Sequence, residues 1–250
     1  MLAALRKALQ RALGKLGFKL AHLPTGQSGY DYIYPVANYA PWNSDAGFLS
    51  AYESIRPNTL VDMYRCWELW TLVSQTEKLG GGVLEVGVWR GGTGALMAKK
   101  AQLAAEKGPV YLCDTFEGVV KAGSHDTIYK GGEHSDTAQH IVEDLVRTLN
   151  LKNVRILKGI FPDETAHLIE PDARFRLCHI DVDVYSSARD VMAWIWDRIV
   201  PGGIVVYDDY GFSACEGITK YVNEQVDETD RVVLHNLNGH AIVIKTSATC

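Results

Sequence analysis

The chain has 250 residues, of which 47% are hydrophobic and 22% are charged, which fits one globular domain with a sizeable core. Its formal net charge of -5 is unevenly distributed. No acidic residue precedes Asp31, whereas five of the 25 basic residues do, so all 30 acidic residues lie in the rest of the chain. An acidic body repels phosphate backbones. We therefore do not expect nucleic acid as the main partner.

The cysteines and the apolar runs indicate where the protein resides. There are five cysteines, an odd number, and their spacing matches neither a disulfide framework nor a zinc motif. No apolar run reaches the roughly 18 residues of a membrane-spanning helix. Basic residues interrupt the N-terminal apolar residues, unlike the core of a signal peptide. These features predict a cytoplasmic protein without a membrane span.

The first 60 residues are predicted to form an N-terminal extension, and residues 61–250 the main domain. Residues 2–17 have leucines at helical spacing, which predicts an amphipathic helix with a basic face. This helix is expected to pack on its own body or on a second subunit, with a membrane surface as the alternative. Residues 22–45 read as an irregular loop. The long extension favours a homo-oligomer.

Beyond this extension, strands and helices alternate. A helix is expected over Val61–Leu79 and is stopped by three glycines. The strands expected next are Val83–Gly87, Val110–Cys113, Val154–Leu157, Leu177–Val182 and Gly203–Tyr207, with helices over Gly92–Glu106, Asp136–Leu149, Glu164–Ile169 and Ser186–Ile199. One more helix and a hairpin of Arg231–His235 with His240–Lys245 follow. The pattern predicts an α/β fold with a doubly wound, mostly parallel seven-stranded sheet and an antiparallel C-terminal hairpin.

The turn after the first strand is rich in glycine and predicts a ligand site. Gly87 would allow a close approach of the backbone to a ligand, and Gly91 would let the next helix start tightly against it. The spacing is not that of a phosphate-binding loop. Glu85 in the strand suits a cationic ligand, such as S-adenosylmethionine. Asp114 ends the second strand, where ribose hydroxyls need an acceptor, and Thr115 and Phe116 follow it. The residues expected to bind the cofactor are Glu85, Gly87, Gly91, Asp114, Thr115 and Phe116.

The acidic residues at two later strand ends predict a metal site. Asp181 and Asp183 follow one apolar strand, and Asp208 and Asp209 follow the next. Four carboxylates at one edge of a sheet repel one another unless a cation is bound, and oxygen ligands suit Mg²⁺, Mn²⁺ or Ca²⁺. We expect Asp181, Asp208 and Asp209 to be metal ligands. The alternative is that these aspartates only cap the following helices.

A metal ion of this kind lowers the pKa of a bound hydroxyl, and a nearby carboxylate can then take the proton. Asp183 is the expected base. The glycine-rich segment from Lys121 to Ser135 is expected to be a mobile lid, in which His134 or His125 is an alternative base or an acceptor contact.

These motifs resemble the macrocin O-methyltransferase (TylF/MycF-type) family. The resemblance runs from about Val61 to Lys245 and is carried by the segments 85–92, 114–118, 180–185 and 206–211. It implies a class I, Rossmann-like methyltransferase that uses S-adenosylmethionine and Mg²⁺ to methylate a sugar hydroxyl, with a small glycoside as acceptor. It also implies Asp181, Asp208 and Asp209 as ligands, Asp183 as base, and Glu85, Gly87 and Asp114 as cofactor contacts. The family often has glycine where this chain has Val182.

Three other readings remain open at this point. A catechol-type methyltransferase shares the fold and the metal chemistry, but its usual third ligand is an asparagine where this chain has Asp209. A non-catalytic adenosyl-binding scaffold would not need the whole acidic cluster. A hydroxylase-associated relative would depend on a partner for its chemistry.

Overall fold

The computed structural model describes residues 37–103 and 108–246, together with Leu13, residues 29–31 and Ile33. The chain divides into two compact units, residues 1–37 and residues 38–250, and the fold below is that of the second unit. The helix expected over residues 2–17 lies outside the described residues except for Leu13, and so does much of the loop expected over 22–45. Among the residues described, no helix has the length and apolarity to cross a membrane.

Seven strands form one mixed sheet in the described part of the chain. They are β1 (Gly82–Val86), β2 (Val110–Asp114), β3 (Val154–Lys158), β4 (Phe175–Ile180), β5 (Ile199–Tyr207), β6 (Arg231–His235) and β7 (Ala241–Lys245). Their order across the sheet is β3-β2-β1-β4-β5-β7-β6. The first five are parallel, whereas β7 runs antiparallel to both β5 and β6. The predicted fold class is confirmed.

Helices cover both faces of this sheet. They are α1 (Ala46–Ile55), α2 (Met63–Gln75), α3 (Gly92–Gln102), α4 (Gln139–Thr148), α5 (Tyr185–Ile195) and α6 (Glu216–Glu224). One hydrophobic core joins the sheet to α1, α2, α3 and α4, and a second joins its other face to α5 and α6. In α5, the buried residues Ala188, Val191, Met192 and Ile195 recur at helical spacing, so this helix presents one apolar face to the sheet.

Some expected helices are shorter than their sequence pattern. The segment expected as a helix over Glu164–Ile169 forms only a 3₁₀ turn, Ala166–Leu168. Six residues close too few backbone hydrogen bonds to offset the cost of starting an α-helix. The helix expected over Val61–Leu79 begins at Met63, where the Asp62 side chain accepts from the Tyr64 and Arg65 amides, and its last turn is a separate 3₁₀ helix.

The parallel strands bring the predicted site residues to one edge of the sheet. β1 pairs with β4 so that Val86 lies beside Ile180, and β4 pairs with β5 so that Ile180 lies beside Tyr207. The next residues along β4 and β5 are Asp181 and Asp208. The same register places Glu85 of β1 beside His179 of β4, with both side chains fully buried. The register of the sheet therefore assembles the acidic cluster.

Gly87 ends β1 at a point where the backbone has no room for a side chain. Its φ is +85°, and a Cβ there would lie 1.6 Å from the Asp181 carbonyl oxygen. This carbonyl belongs to the backbone of the neighbouring strand end, so it cannot turn away. Glycine is required here because β1 and β4 approach each other closely, whether or not a ligand binds.

We predict that Gly87→Ala lowers the free energy of unfolding by more than about 3 kcal/mol, since it combines a left-handed φ with a backbone clash. The matched control is Gly80→Ala, where φ is +70° and nothing lies within 4 Å of the added Cβ. Because Gly80 has a ψ of 173°, in a region that favours glycine, the control should lose only about 1–3 kcal/mol. Urea unfolding of both variants measures the difference, and equal losses would contradict the close-approach argument.

Candidate active site

A cavity of about 320 Å³ opens at the carboxyl ends of the central strands. This volume is within the usual range for a small-molecule site. The predicted site residues that line it are Gly87, Asp114, Thr115, His134, Asp181, Asp183, Asp208 and Asp209. The structure therefore brings the glycine turn, the end of β2 and both aspartate pairs together around one cavity.

Asp114 organises the turn that follows β1. Its Oδ2 accepts hydrogen bonds from the Val88 amide at 2.6 Å and the Trp89 amide at 2.8 Å, while its Oδ1 accepts from the Phe116 amide at 2.6 Å. One carboxylate thus links the end of β2 to the glycine turn, and it also lines the cavity. From this position Asp114 can contact a bound nucleoside, and it also stabilises the turn after β1.

Three residues expected to contact the cofactor are not among those that line the cavity. The Glu85 side chain is fully buried beneath α3 and its Oε1 lies 2.9 Å from His179 Nδ1. Gly91 packs against Val142, and Phe116 is buried in the core. Their direct roles as cofactor contacts stay predictions.

The carboxylates of the cluster differ in their proton affinity. Burial raises the pKa of Asp181, and the nearby charges of Asp208 and Asp209 raise it further. Burial also raises the pKa of Asp183 and of Asp209. Burial opposes ionisation of Asp208 too, but His179, His240 and Arg65 outweigh it and hold the pKa of Asp208 well below its usual range. Asp208 is therefore the fixed negative charge of the cluster.

The cluster carries more negative charge than its neighbours balance. Arg65 of α2 is a permanent cation that contacts it: its guanidinium bonds to Asp208 Oδ1, lies 3.5 Å from Asp209 Oδ1, and lies over the Phe212 ring. Its Nε also donates to Asp62 at 2.9 Å, so the positive charge of Arg65 is shared between Asp62 and the cluster. Asp181, Asp208 and Asp209 offer oxygen donors only, and their mutual repulsion would be relieved by a bound cation. This donor set fits a hard divalent ion such as Mg²⁺.

Backbone strain is concentrated around the same cavity. Trp89, His134, Asp183 and Asp209 all have φ between +48° and +63°, a region that non-glycine residues seldom adopt. All four line the cavity. Such strain, at a cost of about 1–3 kcal/mol per residue, persists where the surrounding structure imposes it, and it is common at functional sites.

Tyr129 links the two residues expected to act as a base. Its hydroxyl lies 3.2 Å from His134 Nε2, and Tyr129 lies close enough to Asp183 for that carboxylate to affect its pKa. Burial and the Asp183 charge raise the pKa of Tyr129, so its phenol remains protonated and can donate. His125, the other lid histidine, is absent from the cavity lining and stacks on Tyr185.

The segment expected to be a lid is tied to the body at several points. Lys121 Nζ forms ion pairs with Asp163 and Asp190, each at 2.7 Å. Asp126 is buried and accepts from the Tyr185 amide at the start of α5. Contacts to the segment after β3 and to α5 therefore hold the first part of this segment, Lys121 to Asp126.

Four residues at or next to the site were not expected from the sequence: Arg65, Tyr129, His179 and His240. For His179 a signal was present, because a titratable side chain in an apolar strand must find a buried partner. Glu85, at the equivalent place in β1, is that partner. Arg65 and His240 come from a helix and a hairpin distant in sequence, so only the fold brings them to Asp208.

The raised pKa of Asp181 predicts a pH effect on stability. Because the folded chain holds this carboxyl neutral to a higher pH than the unfolded chain does, the metal-free protein should lose stability as pH rises above about 4, the usual aspartate pKa. Asp181→Asn removes this loss. At pH 7 in chelator, the variant should be more stable than the wild type by about 1 kcal/mol, a rise in Tm of about 2–4 °C.

Thermal unfolding between pH 5 and 8 measures this effect, with the exposed Asp227→Asn as the control. A variant that is less stable than the wild type at pH 7 would show that Asp181 is not under repulsion.

Comparison with known proteins agrees with the resemblance inferred from the motifs. Residues 57–233 match the family model of macrocin-O-methyltransferase (TylF). The chain is 30% identical over 145 residues to an 8-demethyl-8-(2,3-dimethoxy-alpha-L-rhamnosyl)-tetracenomycin-C 4'-O-methyltransferase from Streptomyces olivaceus, covering 54% of this chain and 55% of that protein. This match thus spans about half the length of that relative.

Two further matches extend the comparison. Mycinamicin III 3''-O-methyltransferase from Micromonospora griseorubida is 29% identical over 196 residues, covering 70% of this chain and 76% of that protein. Among solved structures, the O-methyltransferase NovP superposes with a TM-score of 0.67 at 23% identity, covering 76% of this chain and 83% of that one, which supports the fold. Since the family model covers well over half of its residues, this chain belongs to the macrocin O-methyltransferase (TylF) family.

Proposed function

We propose that this protein is an S-adenosylmethionine-dependent O-methyltransferase, that it uses a divalent cation, preferably Mg²⁺, and that its acceptor is a sugar hydroxyl in a glycosylated natural product. The observation that carries the proposal is the position of Asp181, Asp183, Asp208 and Asp209 around one cavity, next to the glycine turn. Family membership supports the reaction class, and the charge of the cluster supports the cation.

The cofactor side of the cavity is formed by the ends of β1 and β2. Gly87, Trp89, Asp114 and Thr115 line it. S-Adenosylmethionine supplies an electrophilic methyl group on a positively charged sulfur. The carboxylate of Asp114 is placed where it can accept from hydroxyls of a nucleoside, in addition to the three backbone amides that it already holds.

The cation side is formed by the ends of β4 and β5. Asp181, Asp208 and Asp209 would hold the ion, and the guanidinium of Arg65 would hold Asp208 in place through its Oδ1. A divalent ion there would lower the pKa of an acceptor hydroxyl. Arg65 then prevents the carboxylate from turning, which keeps the ligand oxygens in place.

Asp183 is the proposed base that takes the proton from the acceptor hydroxyl. Its raised pKa brings it closer to neutral pH, which favours proton transfer from a hydroxyl of lowered pKa. Tyr129 lies next to this carboxylate, and its hydroxyl lies 3.2 Å from His134 Nε2, so both residues can position Asp183 towards the acceptor. The left-handed φ of Asp183 fixes the direction in which its side chain extends.

The names of the relatives support a glycoside as the acceptor. One acts on a rhamnosyl tetracenomycin and another on mycinamicin III. The wall of the cavity next to Arg65 carries Leu60, Val61 and Phe212, which provide apolar surface for the rest of such a molecule. A catechol-type acceptor is the second candidate. Homo-oligomerisation and a cytoplasmic location stay predictions.

The first test is binding of S-adenosylmethionine by calorimetry, with and without Mg²⁺. We expect wild-type protein to bind at micromolar concentration. Asp114→Ala should weaken binding at least about 10-fold, since a charge-assisted hydrogen bond contributes about 1.5–3 kcal/mol. Circular dichroism and thermal unfolding check that the variant still folds. Absence of cofactor binding by the wild type under all metal conditions would overturn the proposal and favour a scaffold role.

The second test separates chemistry from binding. Asp183→Asn keeps the size of the side chain and tolerates the left-handed backbone, so we expect unchanged cofactor affinity and a loss of about 10²–10⁴-fold in kcat. Glycosides with free sugar hydroxyls are the substrates to screen, and catechols are the comparison set. Asp227→Asn is the matched control. Full activity of Asp183→Asn would remove this residue as the base and leave His134 as the candidate.

A further inference from the structure

A second group of polar side chains lies behind the acidic cluster, in the interior of the domain. His179 lies in β4, Asp208 follows β5 and His240 precedes β7. The two histidines are completely buried and Asp208 is 1% exposed. One ligand atom from each residue lies within 4.8 Å of the other two. Asp208 lines the cavity, whereas the two histidines do not, so this group is separate from the cavity surface.

The outer nitrogen of each histidine is held by a carboxylate. His179 Nδ1 lies 2.9 Å from Glu85 Oε1, and His240 Nδ1 lies 2.5 Å from Glu68 Oε2. A carboxylate oxygen accepts, so each Nδ1 donates its proton. In a neutral imidazole the lone pair is then on Nε2. Histidines that bind metals are oriented in this way by carboxylates on their other nitrogen.

The inner atoms face one another without hydrogen bonds. His179 Nε2, His240 Nε2 and Asp208 Oδ2 are all buried and have no hydrogen-bond partner in the part of the chain that the structure describes. His179 Nε2 is 3.7 Å from Asp208 Oδ2, and His240 Nε2 is 3.7 Å from Asp208 Oδ1. These distances are too long for hydrogen bonds. The two distances end on different oxygens of Asp208, and with one ligand atom from each residue the three atoms lie within 4.8 Å of one another. Binding of a tetrahedral ion with bonds of about 2.0 Å would draw them to a separation of about 3.3 Å.

The local charge also favours a cation. Glu68, Glu85 and Asp208 contact this pair of histidines, and Arg65 is the cation that contacts one of the three carboxylates, through Asp208 Oδ1. Although burial opposes it, Asp208 and Glu85 raise the pKa of His179 to about 10, so this imidazole is protonated when no ion is bound and a metal would displace that proton. A divalent ion between the three inner atoms would then give each of them a partner at once.

We propose that His179, His240 and Asp208 form a binding site for a divalent transition-metal ion of the Zn²⁺ class. Imidazole nitrogens prefer such ions to Mg²⁺, which distinguishes this site from the all-oxygen site of Asp181, Asp208 and Asp209. Asp208 is shared between the two and would connect them. The site fixes the ends of β4, β5 and β7 to one another beneath the cavity.

The test uses full-length protein that is stripped with a chelator and then titrated with Zn²⁺ in the presence of a large excess of Mg²⁺. We expect about one Zn²⁺ per chain that the Mg²⁺ does not displace. X-ray absorption at the zinc edge should show scattering from two imidazole rings. Failure to retain Zn²⁺, or coordination by oxygen alone, overturns the proposal and leaves the histidines as electrostatic partners of Asp208.

Variants locate the ion. His179→Gln and His240→Gln should each weaken Zn²⁺ binding at least about 100-fold, and Glu68→Gln, which changes the carboxylate behind His240, about 10–100-fold. The exposed His167→Gln is the matched control and should bind as the wild type does. Unchanged Zn²⁺ affinity in Glu68→Gln and both histidine variants overturns the assignment. Should the buried histidine variants fail to fold, the wild-type zinc-edge spectrum and Glu68→Gln still decide the question.

Discussion

The fixed charge of Asp208 is the constraint on which the rest of the site depends. The residue follows β5 in the middle of the sheet, is almost completely buried, and contacts the guanidinium of Arg65 from α2. A buried carboxylate of this kind must be balanced by neighbours. Arg65, His179 and His240 are those neighbours, and they come from a helix, a central strand and the C-terminal hairpin. Asp208 therefore joins three parts of the fold that are remote in sequence.

The charges of the remaining carboxylates are balanced less completely. Asp181, Asp183 and Asp209 face the cavity, and burial and mutual repulsion raise their pKa values, although contacts such as Tyr129 with Asp183 counter this in part. Asp183 and Asp209 also have a positive φ, a backbone conformation that is strained for residues other than glycine. A protein that only needed stability would not keep such a group. The domain keeps it at a cost in folding free energy, which is typical of sites selected for chemistry.

Much of this arrangement follows from the sequence, because the strands are short and apolar and the key residues follow them directly. The fold class, the seven strands and the convergence of Gly87, Asp114, Asp181 and Asp208 on one cavity were all predictable from that pattern and from the rule that parallel strands present their carboxyl ends on one side. The family motifs strengthened the same inference.

The parts that were not predictable depend on the direction of side chains and on distant contacts. Strand periodicity does not show whether a side chain near the end of β1 points into the cavity or into the core. Glu85 was therefore expected to contact the cofactor, whereas its side chain lies beneath α3 against His179. The partnership of Arg65 with Asp208 joins residues 143 positions apart. Tyr129 lies in a segment without regular secondary structure, where no periodic pattern exists to place it.

The double ion pair of Lys121 has a consequence for access to the cavity. Its ammonium group joins the segment after β2 to Asp163, beyond β3, and to Asp190 of α5, and all three side chains are partly exposed to solvent. Dissolved ions screen such pairs, whereas the buried contacts of Asp208 are much less affected. Higher ionic strength therefore weakens the ion pairs that hold the segment after β2 beside the cavity, and it leaves the buried contacts of Asp208 nearly unchanged. The salt dependence of ligand association and dissociation rates would report on the opening of this wall, separately from the affinity set by the acidic cluster.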